Sequence, residues 1–284
     1  MRTFYWDAAT ARQPQGWRRV LGRGTGFRVG NAGDLFNLDL LRWAYPGAEL
    51  DNVADDGRRL LLVGSVAHRI LPGDVVCGIG SKKDAVPPAA HAPVRLLGVR
   101  GPRTLKLFEE GGHDTTAVRF LGDPGLLIGR IYPEVLRQEA EPGRVIFVPH
   151  YRERRQFRPT RRYDVVDIDA TVPEIGREIR RAELVYTSSL HGLVFAHALG
   201  RPAVLVTPRS DEPAFKYDDY LLSIGERPGS AGSLDEALAR PAPLSPPDVS
   251  AAIEAISLPD LSELAEYGVS AAYPAASASD REVS

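Results

Sequence analysis

The feature of this chain that most narrows its fold is an alternation of short apolar runs with amphipathic segments. Leu60-Leu-Leu-Val-Gly64, Asp74-Val-Val-Cys-Gly-Ile79, Val94-Arg-Leu-Leu-Gly-Val99 and Ala117-Val-Arg-Phe-Leu121 occupy the first half. Arg144-Val-Ile-Phe-Val148, Tyr163-Asp-Val-Val-Asp-Ile168, Glu183-Leu-Val-Tyr186 and Pro202-Ala-Val-Leu-Val206 occupy the second. Short β-branched runs bounded by Gly, Pro or Asp are the pattern of parallel strands covered on both faces.

Helical patterns lie between them. Asp34 to Ala44 carries Leu35, Leu38, Leu41 and Ala44 at helical spacing. Pro102 opens a helix over Arg103 to Glu110 that stops at Gly111-Gly112. Pro173 to Arg181, His191 to Leu199 and Asp211 to Ile224 follow, then shorter ones over Val249 to Ile256 and Asp260 to Tyr267. Strands alternating with helices predict an α/β fold with parallel sheets. For 284 residues, the best division is two Rossmann-like domains facing each other across a cleft. The expected boundaries are residues 1–122 and 123–269, with 270–284 a disordered tail and a Pro-, Ala- and Ser-rich stretch from Pro241 to Pro247.

Charge and cysteine content exclude several classes. The net charge of −2 balances 35 basic against 37 acidic residues, so there is no global attraction to nucleic acid, and any anion site is local. The single cysteine, Cys77, excludes an internal disulfide and a cysteine-cluster zinc site. Only Lys82, Lys83, Lys106 and Lys216 are lysines, beside 31 arginines. Most of that bias reads as composition. The first residues lack the apolar run of a signal peptide, and nothing reaches the roughly 18 apolar residues of a spanning helix. The expected compartment is the cytoplasm.

Common cofactor motifs are missing. Gly22, Gly24, Gly26 and Gly30 crowd one loop without forming G-x-G-x-x-G. Gly73 to Gly78 has P-loop spacing, but Ile79 stands where lysine is required. His191 and His197 are six apart and point to different helix faces, so they make no metal pair.

Four constellations remain. Thr187-Ser-Ser-Leu-His-Gly192 follows a strand and opens a helix, a natural anion seat where Ser188 or Ser189 caps the helix and His191 carries a proton near neutral pH. A capped helix with an incidental histidine fits the same pattern. Gly98-Val-Arg-Gly-Pro-Arg103 puts Arg100 at a strand's carboxyl edge, where a guanidinium grips carboxylate or phosphate; a plain surface arginine is the alternative. Phe215-Lys-Tyr-Asp-Asp219 sets Lys216 early in a helix, as an anion partner or part of a solvated face. Gly30-Asn-Ala-Gly-Asp34 opens the first helix, with Asp34 as cap or base. Gly78-Ile-Gly-Ser81 and Val148-Pro-His-Tyr151 share the strand-edge placement.

In order, Asn31-Ala-Gly-Asp34, Val63-Gly-Ser65, Cys77-Gly-Ile-Gly80, Val99-Arg-Gly-Pro-Arg-Thr104, Gly122-Asp-Pro124, Val148-Pro-His-Tyr151, Ser188-Ser-Leu-His-Gly192 and Phe215-Lys-Tyr217 resemble the polysaccharide pyruvyl transferase family. The resemblance runs from about Asn31 to Gly225. It implies a GT-B-like architecture and transfer of a pyruvyl group from phosphoenolpyruvate to a sugar, as a pyruvate ketal, in the synthesis of an exopolysaccharide or other cell-envelope polysaccharide. It implies donor contacts at Arg100, Ser189, Leu190 and His191, with Lys216 as a further candidate; Ser188 joins the donor-side candidates by position, and the residue chemistry makes His191, Lys216 and Asp34 the candidate catalytic set. Asn31, Asp34, Gly80 and His150 are the candidate acceptor contacts, and residues 1–122 the acceptor side. Cys77 departs from the aromatic residue that relatives often carry before Gly-x-Gly, which bears on the acceptor pocket's shape. The expected partners are phosphoenolpyruvate as co-substrate and a sugar or lipid-linked oligosaccharide, the latter with peripheral association at the inner membrane face. No nucleic acid, separate cofactor or metal is expected. A GT-B glycosyltransferase using a nucleotide-sugar is the alternative, with Asp123 or Asp169 to grip a ribose, and a non-enzymatic sugar-binding module is the third reading.

Overall fold

A computed structural model describes residues 1–7, 27–241 and 245–273. Gly22, Gly24 and Gly26, part of the Pro241–Pro247 stretch and the tail from residue 274 lie outside the described residues.

Among the described residues, ten strands form two parallel sheets. The first contains β1 (Arg2–Thr3), β2 (Asp51–Asn52), β3 (Leu60–Leu61), β4 (Val75–Cys77), β5 (Arg95–Val99) and β6 (Phe120–Leu121), in spatial order β2-β1-β3-β4-β5-β6. The second contains β7 (Val145–Val148), β8 (Asp164–Val165), β9 (Leu184–Thr187) and β10 (Ala203–Leu205), in order β10-β9-β7-β8. All eight strands expected from the apolar runs are present, each shorter than its run except β9, which is shifted one residue toward Thr187. The two unforeseen strands, β1 and β2, have two residues each, too few to leave a periodic signal.

The helices are α1 (Ala32–Ala44), α2 (Pro102–Glu110), α3 (Ile128–Ile131), α4 (Val172–Arg181), α5 (Leu190–Ala198), α6 (Phe215–Ser223), α7 (Leu234–Leu238), α8 (Ser250–Ala255) and α9 (Leu261–Glu266). Helix α1 begins at Ala32 with Asn31 as its N-cap residue, so Asp34 sits inside the first turn and is not the cap. Helix α6 starts four residues later than the sequence pattern suggested, leaving Asp211 to Ala214 as a connecting segment.

The sheets share one apolar core. Helix α1 follows β1 of the first sheet but packs on α4 and α5 of the second, with Phe36 against Phe195 at 5.5 Å between ring centres. Leu60, Val75 and Leu97 thereby join Ile146, Val185 and Val194 in a single buried cluster. The C-terminal segment returns to the first sheet. Helix α8 packs on β6, the Tyr45 hydroxyl donates to the Pro259 carbonyl at 2.7 Å, and Ala272 bridges to Glu49. The tail expected to fray from residue 270 is thus tied down at Ala272 by the Glu49 amide, which donates to its carbonyl at 2.8 Å.

Cys77 is fully buried in this core, its thiol pushed up to about 12 by burial. It faces the Ser257 carbonyl and does not line the cavity described below.

Candidate active site

Each sheet has one point where its strand order reverses: between β1 and β3 in the first, and between β7 and β9 in the second. Open parallel sheets leave a crevice at such points, at the carboxyl ends of their strands. Here both crevices open into one cavity of about 120 Å³. Trp6 after β1, Ser65 after β3 and Lys82 after β4 line it from one side. His150 to Arg152 after β7, Ser189 to His191 after β9, and Glu212 and Lys216 after β10 line it from the other, with Asn31 and Asp34 at the start of α1 between them.

His191 reaches the cavity from the first turn of α5. Ser189 caps that helix, its hydroxyl accepting from the Gly192 amide at 3.4 Å. A Cβ at Gly33 would lie 2.1 Å from His191 Nδ1, so α1 must carry glycine there for the imidazole to fit. His191 Nε2 is buried without a hydrogen-bond partner, 4.0 Å from Asp123 Oδ1. Burial pushes its pKa below the ordinary histidine value; Asp123 opposes this, and Arg100 and Lys216 add to it. Burial thus favours the neutral imidazole in the site as it stands.

Asp34 accepts from Asn31 Nδ2 at 2.7 Å. Burial raises its pKa to about 6, against the pull of Asn31, Lys216 and Lys82. That places a carboxylate with a base-like proton affinity at the cavity wall.

Lys216, 6 % exposed, projects from the first turn of α6 and donates to Glu212 Oε2 at 2.6 Å. Arg152 Nη1 lies 2.8 Å from Glu212 Oε1, and His150 Nε2 lies 3.8 Å from the same oxygen. Burial and the Lys216 charge push His150 down to about 3, so it is a neutral ring.

Three expected contacts sit behind the wall. Arg100 is fully buried and does not line the cavity: it donates to Ser65 Oγ at 2.7 Å and to the Ser81 carbonyl at 2.6 Å, and pairs with Asp219 at 3.4 Å. Gly80 makes room for it, since a Cβ there would lie 2.2 Å from the guanidinium carbon. Ser188 is also fully buried, accepting from the His150 amide at 2.8 Å and donating to Glu153. These three shape the site through neighbours: Arg100 holds Ser65, and Ser188 holds the β7 loop. Asn31, Asp34, His150, Ser189, Leu190, His191 and Lys216 are brought together at the cavity.

Lys82, Arg152 and Glu212 were missed. Each lies in a short run of charged loop residues that reads as solvated surface, and only the scarcity of lysine pointed to Lys82. The two acids considered for a ribose grip are engaged elsewhere. Asp169 accepts from the Arg28, Val29 and Gly30 amides at 2.7 to 2.8 Å, and Asp123 accepts from the Gly125 amide at 2.8 Å. Among the described residues, no group of three or more His, Cys, Asp or Glu side chains is placed to hold a metal, and no helix is long and apolar enough to cross a membrane.

Residues 89–210 match the family model of polysaccharide pyruvyl transferases. The matched span carries β5, β7 and β9, and with them Arg100, His150 and the Ser188–Gly192 turn. An uncharacterized protein of Acanthamoeba polyphaga mimivirus is 28% identical, over 57% of this chain and 59% of its own length. No solved structure matches.

Proposed function

Taking the polysaccharide pyruvyl transferase match as premise, we propose that this chain moves the pyruvyl group of phosphoenolpyruvate onto a sugar as a cyclic ketal. One observation carries the reading: an imidazole, a carboxylate and an ammonium, on His191, Asp34 and Lys216, meet in a cavity of about 120 Å³. Asp123 and Asp169 are buried and do not line the cavity, so neither is placed to grip the ribose of a nucleotide-sugar.

The chemistry follows from charge and proton bookkeeping. Lys216, Arg152 and Lys82 offset the donor's carboxylate and phosphate, aided by the amide-rich start of α5 at Ser189 and Leu190. The donor's negative charge raises the proton affinity of His191, which lets the imidazole hand a proton to the methylene carbon. Asp34 takes the proton of the first attacking sugar hydroxyl, aided by Asn31. Phosphate then leaves, a second hydroxyl closes the ketal, and its proton departs with the phosphate. Two O–H bonds, the C=C π bond and the C–O bond to phosphate break; two C–O bonds, one C–H bond and one phosphate O–H bond form, and the proton taken by Asp34 replaces the one His191 gave up.

The two sheets correspond in this reading to an acceptor half, 1–122, and a donor half, 123–269, in a GT-B-like arrangement strapped together by the returning C-terminal segment. The acceptor is a sugar or lipid-linked oligosaccharide presented at the cytoplasmic membrane face. The test is phosphate release from phosphoenolpyruvate across a panel of galactosides, glucosides and mannosides. Acceptor-dependent release supports the reading; consumption of a nucleotide-sugar with no such release overturns it.

A further inference from the structure

Two of the three cations that would meet a donor, Lys216 and Arg152, are already paired. Both oxygens of Glu212 are taken up by them, Oε2 by Lys216 at 2.6 Å and Oε1 by Arg152 at 2.8 Å, and its side chain is only 4% exposed. Burial alone would raise the Glu212 carboxyl, yet Lys216 and Arg152 hold it below its ordinary value, so it stays charged. Glu212 thus joins two elements across the cavity, the loop after β7 and the first turn of α6. It stands on the segment between β10 and α6, outside any helix or strand. That segment is moored upstream through the Arg209 and Ser210 amides on Glu153, so the Glu212 side chain belongs to no backbone ladder. An incoming anion reaches Lys216 and Arg152 only by displacing this carboxylate or sharing its donors. A singly charged ligand gains too little from either exchange, whereas one with two anionic groups replaces what Glu212 gives up.

We propose that Glu212 is a built-in competitor anion, which tunes the Lys216–Arg152 seat against weak monoanions and toward ligands that carry two anionic groups. The inference rests on the reading of Lys216 as a donor-side cation and adds the residue that sets its selectivity.

The test uses the full chain and two probes, inorganic phosphate and phosphoenolpyruvate, titrated by calorimetry into wild type, Glu212→Gln, Glu212→Ala and Lys216→Met. Removing the competitor tightens binding of inorganic phosphate by at least about tenfold in both Glu212 variants, or about 1.4 kcal/mol. The gain is smaller for phosphoenolpyruvate, which already displaces the carboxylate, and Lys216→Met weakens both ligands. Unchanged or weaker phosphate binding in Glu212 variants that melt as wild type does would overturn the proposal: Glu212 would then hold the cations in place instead of competing for them. The transferase reading fails separately. Tightened phosphate binding in a protein that never forms a ketal keeps the role of Glu212 and removes that reading, and ketal formation without tightening does the reverse.

Discussion

Gly33 and His191 interlock: the first turn of α1 passes so close to the imidazole that a methyl group at residue 33 would sit 2.1 Å from Nδ1. The contact joins the helix that follows β1 of the first sheet to the histidine presented by the second. Gly33→Ala gains up to about 1 kcal/mol of helix propensity and loses about 1–3 kcal/mol to overpacking. Its melting temperature therefore falls little. Turnover falls much more, because the imidazole is forced off its position, and comparing thermal melts with phosphate-release rates checks this. A variant that keeps wild-type turnover would contradict the interlock.

Asp34 gives the clearest opposition of stability and activity. Its folded pKa of about 6 lies above the ordinary carboxylate value, so its stabilising contribution is full below about pH 4 and lost as pH rises through 6. Asp34→Asn removes the cost of a buried charge at neutral pH, up to about 3 kcal/mol at 1.36 kcal/mol per pK unit. Its melting temperature exceeds wild type at pH 7.5, and the two converge near pH 4. Turnover drops by about 10²–10⁴-fold, as for loss of a positioned base. Paired melts at the two pH values, with rates at the higher one, test both halves.

Arg100 acts from behind the wall, so its loss first appears as instability. Arg100→Met leaves Asp219 without its buried guanidinium partner, at a cost of about 3 kcal/mol. Asp219 also accepts from the Arg103 and Thr104 amides at the start of α2, at 2.9 and 3.0 Å, so Asp219→Asn loosens that helix as well. The double variant loses less than the two single losses together, because each single change strands the other charge. Denaturant midpoints of the three variants measure this coupling; strict additivity would contradict it.

Histidines set the acid limb of stability. His150 is held to about 3 and His197 to about 4, both mainly by burial, so the folded chain refuses protons that the unfolded chain accepts below about pH 6.5. Their contribution is whole above pH 6.5 and lost as pH falls toward 4, opposite in sign to that of Asp34. His150→Gln flattens the slope of unfolding free energy over that window by up to about 1.36 kcal/mol per pH unit. Denaturant melts at several pH values report it, and an unchanged slope would show that His150 is not held neutral.

The sequence exposed most of the framework because strands buried on both faces leave apolar runs with sharp boundaries, as at Val145–Val148 and Leu184–Thr187. The same logic made Ser189, His191 and Lys216 visible, since each follows such a run. What stayed hidden depends on direction and pairing. Whether Arg100 points out to a ligand or in toward Ser65 is decided by the space at Gly80, twenty residues away, and no local pattern couples the two. Glu212 and Arg152 become partners only when the loops after β7 and β10 of the second sheet meet, and neither carries a periodic signal of its own.

The most direct test of the central claim is the mass of the sugar acceptor after incubation with phosphoenolpyruvate and either wild-type protein or His191→Ala. The account predicts that one panel member gains a single pyruvyl ketal, matched one-to-one by released phosphate, and that His191→Ala loses the product while still binding phosphoenolpyruvate. A gain in mass that persists undiminished in His191→Ala, or phosphate released with no change in any acceptor, would contradict it.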